Sequence, residues 1–111
     1  MKSLDHDKML TEAQERLYNI IPYGKDQAIS RERLVQLLGR CDRTIRDDIK
    51  ELRMNGVVIC SDTQHKGYWK PTKRSEVEDF IMQMESYGKQ CFNASKSARE
   101  YMKNHEDQLH A

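Results

Sequence analysis

The sequence predicts a mainly α fold of the α+β class: short helices, one small β-hairpin and a long C-terminal helix. Three observations predict it. Apolar residues recur at three- and four-residue steps through most of the chain. One β-branched run, Val57-Val58-Ile59-Cys60-Ser61, is followed by a polar turn and Tyr68-Trp69-Lys70 before Pro71 closes the segment. From Val77 onward the apolar spacing is sustained over more than three heptads. With 111 residues, the chain fits one domain and an appended helix.

Residues 1–10 are polar and expected to be loose. Thr11-Glu12-Ala13-Gln14 has the form of a capping box, in which the Thr11 hydroxyl accepts from the Gln14 backbone and the Gln14 side chain reaches back. Ala13, Leu17, Ile20 and Ile21 give the helix that follows an inward stripe. Pro22 stops it, because the residue before proline is pushed out of helical geometry. Tyr23-Gly24-Lys25-Asp26 is turn chemistry, and Gln27-Ala28-Ile29 is expected to form a short strand against the hairpin.

Ser30 can cap a second helix, with Glu32 in its positive first turn. Leu34, Leu37 and Leu38 are its expected buried side, and Gly39 supplies the positive φ that ends it. A third helix is expected from Asp42 to the stop signal Asn55-Gly56. Ile45, Ile49 and Leu52 stand four and three residues apart, so they point inward. Arg43, Arg46, Lys50 and Arg53 follow steps of three, four and three and line the opposite side, with Asp47 among them. A helix entering the DNA major groove needs such a row, whose long donors reach phosphates and guanine edges. Asp47 can accept from cytosine N4 or orient an arginine, and Thr44 suits a phosphate oxygen at the helix start. The competing reading is that these charges only solvate a surface helix.

Helix, turn, helix and β-hairpin in this order is the plan of a winged helix-turn-helix. Gln64, His65 and Lys66 in the hairpin turn are then candidates for the DNA backbone, with Lys70, Lys73 and Arg74 behind them. Tyr68 or Trp69 reads as cover for the core rather than a stacking platform for a base. Cys60 reads as a small core residue.

Leu38 to Arg53 (Leu-Gly-Arg-Cys-Asp-Arg-Thr-Ile-Arg-Asp-Asp-Ile-Lys-Glu-Leu-Arg), with Gly-Val-Val-Ile-Cys-Ser and Gly-Tyr-Trp after it, resembles the winged helix-turn-helix of the biotin-repressor and DeoR type. It is similar in particular to small proteins of that type carried by phages and prophages of Gram-positive bacteria. The resemblance covers about half the chain, and Arg-Thr-Ile-Arg-Asp-Asp-Ile-Lys at 43–50 is its specific part. It implies that the helix at 42–55 reads the major groove through Arg43, Thr44, Arg46, Asp47 and Lys50, while the wing at 61–68 lies on the backbone. Two residues depart from the pattern. Arg40 stands where the turn usually has an apolar residue, and Cys41 where it usually has a Ser cap, which leaves Asp42 as the expected cap. Proteins of this type continue into ligase or effector domains. None is visible here, so small-molecule sensing and ligase activity are not carried over.

Charge supports the nucleic-acid reading. The formal net charge is only +1, but residues 27–74 hold eleven Lys/Arg against six Asp/Glu. Residues 75–111 hold four against seven, an acidic tail behind a basic segment. The expected domains are 11–74 for the winged module and 75–104 for the C-terminal helix, with 105–111 disordered.

Ser75-Glu76-Val77-Glu78 reads as a second capping box. Positions 77, 80, 84, 87, 91, 94, 98 and 101 are Val, Phe, Met, Tyr, Cys, Ala, Ala and Tyr, with Ile81 and Met102 widening the stripe. So long a helix exceeds what a small core covers. Met84, Tyr87, Cys91, Ala94, Ala98 and Tyr101 are therefore candidates for a homodimer contact, which would pair two DNA-reading modules on a split site. The alternative is that the first turns pack on the module and the rest, weakened by Gly88, is unpartnered.

Other classes have little to stand on. No apolar run approaches the ~18 residues of a membrane span, and the start has no signal-peptide pattern, so a cytoplasmic location is expected. Three cysteines at wide gaps suggest neither a disulfide framework nor zinc, and Cys60 with His65 lacks a second ligand pair. No nucleophile–base spacing gives catalysis a seat, and no cofactor is expected. The leading expectation is a double-stranded DNA-binding regulator of transcription. Origin recognition or recruitment in phage replication, and a winged-helix protein-interaction module without DNA affinity, are the alternatives.

Overall fold

The computed structural model describes residues 10–62 and 67–109. The chain divides into two compact units, Met1–Val77 and Glu78–Ala111. It is mainly helical, with one small antiparallel sheet of three strands. In order come α1 (Glu12–Ile20), a 3-10 turn (Lys25–Gln27), β1 (Ile29–Ser30), α2 (Arg31–Leu38) and α3 (Asp42–Met54). Then follow β2 (Cys60–Asp62), β3 (Gly67–Trp69), α4 (Arg74–Asn104) and a last 3-10 turn (Glu106–Gln108).

The capping box of α1 forms as its residues dictate. Gln14 N–H donates to Thr11 Oγ1 at 3.0 Å, and Thr11 N–H donates back to Gln14 Oε1 at 3.2 Å. Leu10 packs against the core rather than hanging loose, while the rest of the stretch expected to be loose lies outside the described residues. The expected strand at 27–29 is shifted: residues 25–27 form the 3-10 turn and only Ile29 and Ser30 extend. Ile29 pairs with Tyr68 and Ser30 with Gly67, so β3 is the central strand, with β2 on its other side. β2 also begins later than expected, at Cys60. A side chain at Gly67 has no room, since a Cβ there would sit 2.9 Å from that of Ala28.

Ser30 accepts from Arg33 N–H at 3.0 Å and caps α2, and Gly39 at φ 63° ends that helix in the left-handed region. Leu34 is buried and Leu38 half-buried, but Leu37 is 45% exposed. Val35 packs on the core in its place. At about 100° per residue, Leu34, Val35 and Leu38 define the face, and Leu37 falls roughly 100° from its centre. Leu17, Ile21, Leu34, Ile45, Ile49, Leu52 and Ile59 form the core of this unit, joining α1, α2, α3 and the entry to β2. α4 begins one residue before the expected cap, so Ser75 lies inside its first turn. Glu76 accepts there from Thr72 N–H at 3.3 Å. Residues 106–108 are ordered as a 3-10 turn where disorder was expected, preceded by His105, whose ring stacks on Tyr101.

Candidate nucleic-acid interface

Three aliphatic anchors fix how α3 is rotated. Ile45 and Leu52 are 0% exposed and Ile49 is 2% exposed, so the helix cannot turn without uncovering them. Each is worth roughly 1.5–3 kcal/mol of burial. The opposite side is wet: Arg43, Arg46, Asp47 and Lys50 are all exposed. This is the surface that the four-three spacing of the anchors implies.

Acids hold part of that surface in place. Asp42 Oδ2 lies 3.2 Å from Arg46 Nε, one helical turn away, and Asp42 Oδ1 accepts from Arg31 Nε on α2. Arg31 Nη1 also donates to the Tyr68 hydroxyl at 3.4 Å, linking α2, α3 and β3. The Tyr68 and Asp42 bonds raise the Arg31 pKa above its ordinary value. The acid beside Arg46 is Asp42; Asp47, for which a bond from cytosine N4 and the orienting of an arginine are both open, is exposed. Arg31 was not foreseen, since no helical spacing connects it with a residue eleven positions on.

The two departures in the turn resolve locally. Arg40 Nη1 donates to Asp48 Oδ2 at 2.6 Å, so an ion pair ties turn to helix at the position where the resembled pattern usually has an apolar residue. Cys41, not Asp42, is the N-cap residue, and its side chain makes no capping bond. Its Sγ and Thr44 Oγ1 instead share a hydrogen bond at 3.0 Å. The Thr44 hydroxyl and nearby backbone N–H groups stabilise the thiolate and lower the Cys41 pKa. Thr44 is half-buried.

Arg53 leaves the expected DNA-facing set, and Lys70, expected behind the wing candidates, leaves the surface. Arg53 turns toward the hairpin: Nε and Nη2 donate to Ile59 O at 3.0 and 2.6 Å, and Nη2 donates to Ser61 Oγ at 3.0 Å. Burial lowers its pKa. Lys70 is buried, with Nζ donating to Tyr18 O at 3.1 Å and lying 4.2 and 4.4 Å from the Tyr18 and Tyr23 ring centres. Burial lowers its pKa as well. Lys73, three residues further on, is exposed. Trp69 is buried, as core cover requires. Gln64, His65 and Lys66 lie outside the described residues.

In the second unit, Met84 is half-buried and Tyr87, Cys91, Ala94, Ala98 and Tyr101 are exposed along α4. Among the described residues no three His, Cys, Asp or Glu side chains gather to hold a metal ion, and no helix is long and apolar enough to cross a membrane. No family model, curated protein or solved structure matches the chain.

Proposed function

We propose that this chain is a sequence-specific double-stranded DNA-binding protein, built as a winged helix-turn-helix and acting in transcription control. The observation that carries the proposal is the sidedness of α3, with three buried anchors on one side and Arg43, Arg46 and Lys50 in water on the other. α2, the Gly39 turn, α3 and the β2–β3 hairpin follow in the order that fold requires, with β1 as its third strand.

In this reading α3 enters the major groove. Arg46, braced by Asp42, presents a guanidinium to a guanine edge at little cost in side-chain ordering, while Arg43 and Lys50 neutralise phosphates. Arg31 and Arg40, each paired with an acid of α3, keep α2 and the turn in register with it. The same surface serves origin recognition equally well, and the genomic position of the bound fragments separates the two roles.

The test is selection of genomic fragments by the full chain, followed by titration of the selected duplex at several salt concentrations. Binding should weaken steeply with salt, and the Arg43→Ala/Arg46→Ala/Lys50→Ala variant should lose the preference for the selected fragment. Absence of duplex binding at low salt, or equal binding by the triple variant, would refute the reading and favour a protein-interaction module.

A further inference from the structure

We propose that Arg31 and Asp42 are positioning residues that set the base preference of Arg46, the acid holding that arginine and Arg31 holding the acid. The proposal rests on the DNA reading above and adds to it which neighbours decide specificity. It starts from the two oxygens of Asp42. Oδ2 lies 3.2 Å from Arg46 Nε, and Oδ1 accepts from Arg31 Nε, so one carboxylate joins arginines of two different helices. Arg31 in turn donates through Nη1 to the Tyr68 hydroxyl at 3.4 Å, and Tyr68 packs against the core.

The contact between Asp42 and Arg46 is weak on its own. Their side chains are 49% and 57% exposed. An exposed pair one helical turn apart biases side-chain rotamers only about twofold, too little to fix a base reader. A carboxylate already held by a second arginine behaves differently. Its torsions are set before Arg46 meets it, so the bond costs less freedom. Asp42 opens α3 and Arg46 follows one turn later, in the part of a recognition helix that meets base edges. With Nε given to Asp42, the Nη pair is the edge of Arg46 left for guanine O6 and N7.

Charge gives Arg31 a second task. A bare acid at the head of a DNA-reading helix repels phosphates, and Arg31 offsets that charge while Asp42 orients Arg46. The two residues therefore act on total affinity in opposite directions. Loss of Arg31 exposes the acid and weakens binding to every sequence. Loss of Asp42 releases two arginines and strengthens it. Either loss frees Arg46, so discrimination at its base pair falls in both cases. A residue serving only as scaffold does not produce opposite affinities with a shared loss of discrimination.

The test titrates the selected duplex and its single-base variants at one salt concentration, with Arg46→Ala marking the base pair that Arg46 reads. Arg31→Met, which keeps the apolar stem, should lose about fivefold or more of the discrimination at that pair and bind all duplexes more weakly. Asp42→Ala should lose the same discrimination while binding unrelated duplex more tightly. Adding Arg31→Met to Arg46→Ala should change discrimination no further. Native discrimination in Arg31→Met or Asp42→Ala, where Arg46→Ala has lost it, would overturn the proposal and leave the DNA reading standing. So would an Arg31→Met loss that adds in full to that of Arg46→Ala, or an Arg46→Ala variant that discriminates as the native chain does. Absence of duplex binding by the native chain would end both readings.

Discussion

Cations of one basic segment meet two fates. On the outer side of α3, Arg43, Arg46 and Lys50 stand in water. At the other end of the same helix and just past the hairpin, Arg53 and Lys70 are folded into the protein's own body. Both groups contribute to the same charge excess, yet only the first keeps its side chains exposed, with Arg46 paired to Asp42. The lesson is that a basic segment measures potential partners, and helix rotation then decides which charges remain available.

Removing an inward cation should cost the most. Arg53→Met strips the Ile59 carbonyl and the Ser61 hydroxyl of a charged donor and should lower unfolding stability by ~2–3 kcal/mol in urea titration. A loss under half a kcal/mol would mean that Arg53 is not structural, and the division between the two sets would fail. Arg46→Ala should leave stability nearly unchanged but cost ~1–3 kcal/mol of affinity for the selected duplex, with relaxed preference at one base pair. Lys50→Ala should weaken binding to all sequences alike and reduce the salt slope by about one unit. Lys70→Met, its inward counterpart, should leave that slope untouched and lower stability by only ~1 kcal/mol, because the apolar stem is kept. The smallest effect concerns Cys41. Alkylation should reach this exposed, thiolate-favouring side chain before buried Cys60, followed by mass spectrometry, and should modestly weaken DNA binding without unfolding.

Much of this division could be read along the chain, for reasons tied to local geometry. The steps between Ile45, Ile49 and Leu52 fix which side of α3 is buried, and Gly39 fixes where α2 ends, because both depend on residues within one or two turns. Arg53 defeated the same logic by a matter of angle. It lies roughly 70° from the centre of the buried stripe, against roughly 130° for Lys50 and 150° for Arg43. A long side chain so close to the boundary can reach the nearest unpaired carbonyl, and Ile59 supplies one. The Arg31–Asp42 and Lys70–Tyr18 contacts join residues eleven and fifty-two positions apart, which no local periodicity encodes. Cys41 fills the cap position where Asp42 was expected because α3 starts at Asp42 itself.

Ser30 holds two posts at once. Its backbone pairs with Gly67 in the sheet, while its hydroxyl accepts the Arg33 N–H at the head of α2. The turn end of the hairpin and the first turn of α2 are thereby joined at one residue. Replacing Ser30 would therefore disturb two elements together, the sheet edge and the helix whose Leu34 shares a core with Ile45 of α3.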